Sequence, residues 1–190
     1  MNGNENFTIN GKFAGFTMLD FWCFQYSNIY NLQEYLAEFI VAKALGKDDA
    51  HNLDSWTLFD ILYREKRIEV KTTSYYHPWN ENSKISKQRT FGITKANSNY
   101  ENEDEENRYE RQNDIYVFCL NTGMDKESSY PLNLNNWEFY IVPTVFINEH
   151  CGDNKTISLG RIKRFGFTAK GYEEIRLEID RLIDIMQKKH

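Results

Sequence analysis

Hydrophobic and polar positions follow two rhythms along this chain, and the changes of rhythm mark its elements. From Asn31 to Gly46 apolar residues recur every three or four positions. Leu32, Leu36, Phe39, Ile40 and Ala44, with the stem of Lys43, make the stripe of an amphipathic helix. Asn31 suits the N-cap, Glu34 completes a capping box, and Gly46 suits the stop. The period then becomes two. Residues 59–64 and 67–73 are rich in β-branched, aromatic and aliphatic side chains and read as two strands joined through Glu65-Lys66. His77-Pro78-Trp79 ends the second strand. Alternation from Arg89 to Lys95 predicts a third strand, and the nearly continuous apolar run from Asp114 to Leu120 a fully buried one. Trp137 to Ile147 reads as a further strand broken at Pro143, and Thr156-Ile-Ser-Leu as a short one. A helix closes the pattern from about Gly171 to Lys189, its seam of Ile175, Ile179, Leu182 and Met186 packing on the sheet.

Between these elements, residues 1–12 are polar and Asn/Gly-rich and are expected to fray. Residues 97–113 read as a mobile acidic loop, and 148–165 as a loop bearing the basic run Arg161-Ile-Lys-Arg164. The dense aromatic stretch from Phe13 to Tyr26 must bury against something, and core packing is favoured over a partner surface. The 190 residues suit a single domain.

Charge and cysteines narrow the function classes. A net charge of −5 gives no global basic signature, so a nucleic acid would need a local basic patch or metal bridging. Three scattered cysteines suggest neither a disulfide framework nor zinc, and with no signal peptide or membrane-length apolar run the expected setting is cytoplasmic, with no membrane partner. There is no Gly-rich phosphate loop, no His-Glu-x-x-His and no Gly-x-Ser-x-Gly.

The candidate chemistry lies on the hairpin. A two-residue loop at Glu65-Lys66 sets Leu62 opposite Glu69 and Asp60 opposite Lys71, so Asp60, Glu69 and Lys71 share a face. Any even loop preserves that parity and a three-residue loop breaks it. A carboxylate pair can hold Mg²⁺, and a neighbouring ammonium can stabilise charge on a phosphorane. The plainer alternative is the solvated face of an edge strand. Glu38, beside the apolar stripe of the first helix, needs a partner, either a metal or a surface lysine. Thr73, in the polar run after Lys71, and the basic residues Lys84, Lys87 and Arg89 are the candidates for phosphate contacts.

Asp60 followed by Glu69-Val70-Lys71 across a hairpin, after a helix carrying Glu38, resembles the PD-(D/E)XK nuclease superfamily. Asp20-Phe-Trp, the segment from Leu36 to Gly46, Ile68 to Ser74, Asp114 to Phe118 and Asn136 to Thr144 look like a restriction-endonuclease-like group within it. The family's proline is replaced by Phe59. The resemblance implies an α/β fold, a three-layer α/β/α restriction-endonuclease-like core with a central mixed β-sheet. It also implies a Mg²⁺-dependent DNA endonuclease in which Mn²⁺ substitutes. Asp60, Glu69 and the Val70 carbonyl would hold the metal, Glu38 a second metal or a water on it, and Lys71 would position the attacking water. Double-strand cleavage would favour a homodimer. A catalytically inactive member that binds nucleic acid or protein is the alternative.

Overall fold

The alternation at Ile68, Glu69, Val70 and Lys71 becomes a strand whose two faces do different work, and the rest of the sheet is built against it. The protein is described by a computed structural model over residues 2–25, 32–47, 59–76, 89–97 and 109–188. Asn31, His77 to Gln88 and most of the acidic loop lie outside the described residues. The chain divides into two compact units, residues 1–33 and 34–190.

In the first unit β1 (Asn6–Ile9) pairs antiparallel with β2 (Lys12–Thr17), and α1 (Met18–Gln25) follows directly. A strand therefore stands where fraying was expected. Thr17 and Asp20 form a reciprocal cap: the Thr17 N–H and hydroxyl donate to Asp20 Oδ2 at 2.7 and 2.8 Å, and the Asp20 N–H donates to Thr17 Oγ1 at 3.4 Å. The aromatic stretch is not core. Phe13, Phe16, Phe21 and Phe24 are 47–80% exposed, because a hairpin and one short helix enclose too little volume to bury them.

The second unit opens at Glu34, one residue into α2 (Gln33–Ala44). Gly46 ends it in the left-handed region (φ 72°), with Lys47 N–H donating to Ala42 O and Gly46 N–H to Lys43 O, as the sequence predicts. The buried stripe is rotated from the expected one: Ala37, Ile40, Val41 and Leu45 are buried, while Phe39 is 55% exposed beneath the Lys43 ammonium. Then come β3 (Ile61–Tyr63) and β4 (Lys66–Ser74), with β8 (Ile115–Asn121) and β9 (Trp137–Pro143) after β5 (Thr90–Gly92), β6 (Ala96–Asn97) and β7 (Tyr109–Glu110). The main sheet is mixed, in the order β3-β4-β8-β9, with only the β4–β8 pair parallel.

Three expectations change. The segment from Thr144 onward is not strand: Pro143, with φ −63° and no N–H to donate, sits at the N-cap of α3 (Thr144–Cys151). β5 does not join the main sheet but pairs with β10 (Thr156–Ser158). The basic run is not loop but α4 (Leu159–Arg164), capped by the Ser158 hydroxyl, which accepts from the Arg161 N–H. The closing helix is α5 (Ile175–Gln187), its seam packed with the sheet as expected, Ile175, Ile179 and Leu182 buried and Met186 partly so.

Each sheet face carries its own apolar cluster. Ile68, Val70, Val117, Cys119 and Phe139 pack with α2 and α5. Tyr116, Phe118, Leu120 and Tyr140 pack with α3, β10, α4 and Phe91 of β5. Fully burying one such aliphatic side chain contributes roughly 1.5–3 kcal/mol. No described helix is long and apolar enough to cross a membrane, and Cys23, Cys119 and Cys151 are free thiols.

Candidate active site

The hairpin that presents the candidate residues turns one position earlier than the sequence suggests. Tyr63 pairs with Lys66, leaving Arg64-Glu65 as a two-residue loop with φ of 47° and 64°. Both values are positive, as a primed turn requires, although neither residue favours them. The compensation comes from α5. The Arg64 guanidinium bonds Asp180 at 2.9 Å and Asp184 at 2.8 Å, and the Tyr63 hydroxyl donates to Asp180 at 3.1 Å. The expected pairings of Leu62 with Glu69 and Asp60 with Lys71 are therefore corrected: Leu62 faces Arg67. Continuing that register sets Asp60 opposite Glu69. The loop remains even, so Asp60, Glu69 and Lys71 still share a parity.

Asp60 lies just before β3, and its N–H donates to Ile68 O at 3.0 Å. Its carboxylate turns back onto β4, where Oδ2 accepts from the Val70 N–H at 2.6 Å. Val70 itself is buried on the α2 face. Glu69 and Lys71 lie on the other side of the pleat, beside Tyr116 and Phe118. Lys71 Nζ is 2.5 Å from Glu69 Oε1, with side-chain exposures of 31% and 19%.

The electrostatics show which charges sense one another. Burial, and then the Asp60 carboxylate, push Glu38 up to about 7, against an opposing pull from Lys71. The same two causes raise Glu69 despite its ion pair with Lys71. Burial pulls Lys71 down, but Glu69, Asp60 and Glu34 outweigh it and hold the ammonium above its ordinary range. Glu38, Asp60, Glu69 and Lys71 thus form one coupled group.

Two participants were missed. Glu34 was assigned to capping, yet its charge acts on Glu38, Glu69 and Lys71; its spacing of four from Glu38 on a helix was the available signal. Tyr116 faces Glu69 in the parallel pair, a neighbour that no local pattern reveals.

The expected phosphate contacts are dispersed. Thr73 is half-buried two residues beyond Lys71 on the same face. Arg89 is engaged with Tyr75: Nη2 donates to the Tyr75 carbonyl at 2.8 Å, and the guanidinium lies 5.5 Å from the ring centroid. Lys84 and Lys87 lie outside the described residues.

The donor set is chemically suited to a hard divalent cation, being oxygen-only, partly desolvated and mutually repelling. It is not closed around one point: among the described residues no three His, Cys, Asp or Glu side chains are placed to hold a metal, and Glu69 is turned onto Lys71. No protein-family model, curated protein or solved structure matches the chain.

Proposed function

We propose that the chain is a Mg²⁺-dependent DNA endonuclease of the PD-(D/E)XK superfamily. One observation carries the reading: Glu69 and Lys71 alternate with a buried Val70 on a strand, and Asp60 faces them across an even hairpin in a charge-coupled group with Glu38. A three-layer α/β/α core would account for apolar clusters with helices on both faces of the sheet.

In this reading Asp60, Glu69 and the Val70 carbonyl hold the cation, and Glu38 adds a further oxygen. When bound, Mg²⁺ supplies Lewis-acid polarisation of the phosphodiester and lowers the pKa of water. Lys71 moves from Glu69 to the phosphate, where its ammonium offsets developing negative charge and orients the attacking water. Asp60 is oriented for this by the Val70 N–H, which donates to Oδ2. The test is incubation with plasmid and linear duplex DNA in Mg²⁺ or Mn²⁺. Cleavage by the wild type and its loss in Lys71→Ala would support the reading; full activity in Lys71→Ala would remove it.

A second reading, a catalytically inactive binding member, is favoured by the closed Lys71–Glu69 pair and by the exposed aromatic side chains of residues 13–24. Titration with Mg²⁺ separates the two, because a cation held by the native state raises the unfolding midpoint and an inert scaffold shows no rise.

A further inference from the structure

In a chain of net charge −5, residues 155–170 contain Lys155, Arg161, Lys163, Arg164 and Lys170 and no carboxylate. The fold brings α4 of this segment to the same sheet face as Lys71. Lys71 pairs with Phe118 on β8, and Phe118 with Tyr140 on β9. Lys163 of α4 holds its ammonium 5.5 Å from the Tyr140 ring centroid. Two strand spacings put Tyr140 about 10 Å from Lys71, close to three base-pair steps of roughly 3.4 Å each along the axis of a DNA duplex. The start of α4 is tied to the same region, because the Leu159 N–H donates to the Arg89 carbonyl at 2.8 Å.

The heads of this helix are available. Lys163 is 51% exposed, and Arg164 is exposed. Glu138 faces Lys163 at 3.8 Å, but its carboxylate is engaged by the Tyr140 hydroxyl. Arg161 is more committed: its guanidinium bonds the His150 carbonyl and stacks on Phe165.

We propose that α4, through Lys163 and Arg164, grips the phosphate backbone of duplex DNA whose scissile phosphate lies at Lys71. Placing the scissile phosphate there, and choosing DNA as the occupant, rest on the nuclease reading; the exposure of the two cations on that face does not. Phosphate contacts of this kind fix register and carry a salt-dependent, sequence-independent share of affinity. The shared face favours DNA over an acidic protein, since the strip of cations continues from a candidate phosphodiester site.

The test is fluorescence anisotropy of a labelled random-sequence duplex, in EDTA, over a range of salt concentrations. Wild type is compared with Lys163→Gln/Arg164→Gln, the charge-keeping Lys163→Arg/Arg164→Lys, and Lys188→Gln as a remote control. The neutralised variant is expected to bind roughly tenfold or more weakly, with the log–log salt slope reduced by about two. The charge-keeping and remote variants are expected to bind as wild type does, and all four to share one circular-dichroism spectrum. An unchanged slope, no wild-type binding, or equal competition by poly-glutamate would overturn the proposal. Cleavage is assayed separately. An altered slope without wild-type cleavage leaves the grip standing and removes the nuclease reading; cleavage with an unaltered slope does the reverse.

Discussion

The Val70 N–H donates to the Asp60 carboxylate at 2.6 Å, so Asp60 is oriented by the backbone between the two charged residues it faces. Asp60→Asn keeps an acceptor for that hydrogen bond and removes the charge. It is expected to fold with unchanged or slightly raised metal-free stability, because Glu38 and Glu69 lose a repelling neighbour, while cleavage falls at least about a hundredfold. Asp60→Ala also loses the hydrogen bond, at a cost of about 1–3 kcal/mol. Denaturant unfolding and plasmid cleavage of both variants check this.

Lys71→Met removes the only positive charge that tempers Glu38 and Glu69 among the causes acting on them. Cleavage is expected to fall by about two orders of magnitude or more. Metal-free stability should also drop, since both carboxylates lose the counter-charge that opposes their burial. Single-turnover cleavage alongside thermal melts reads both effects.

Glu38 gives a pH dependence with a definite sign. Its carboxyl is raised from 4.5 to about 7 on folding. Between those values the folded state holds a proton that the unfolded state has released, so metal-free stability falls as pH rises through that window and levels off above it. Glu69 contributes in the same direction. Glu38→Gln should flatten part of the decline. Mg²⁺ should stabilise more at pH 8 than at pH 6, because a carboxylate ligand must first lose its proton. Thermal melts across pH 5–8.5, with and without Mg²⁺, test the set; a decline equally steep in Glu38→Gln would contradict the assignment.

The turn offers a stability gain away from the chemistry. Glu65 holds φ at 64°, so Glu65→Gly removes strain of roughly 1 kcal/mol. Equilibrium unfolding should show that gain with cleavage unchanged. Arg64→Gly relieves the same kind of strain but gives up the contacts to Asp180 and Asp184, and should gain less.

What the sequence made legible was whatever depends on local period. Glu69, Val70 and Lys71 alternate as read, β8 is buried throughout, and Gly46 stops α2. What it hid depends on distant partners. The turn moved to Arg64-Glu65 because carboxylates on α5 hold Arg64 in a conformation its own neighbours do not encode. Phe39 looked like core by spacing, but Val41 and Ala37 lie nearer the centre of the packed face. Beyond Pro143 the apolar run Val-Phe-Ile fits helix and strand equally, and packing on Tyr116 and Phe118 decided for α3. The shared parity of Asp60, Glu69 and Lys71 was readable, Glu34 showed only as a spacing of four from Glu38, and Tyr116 required the folded neighbours.

The bond between Arg64 and the aspartates of α5 joins residues 116 and 120 positions apart. During synthesis, a chain grown only as far as α4 already carries Glu38, Asp60, Glu69 and Lys71, but not the aspartates that anchor the turn. The hairpin that presents the charged group is therefore pinned by a segment synthesised long after its own residues.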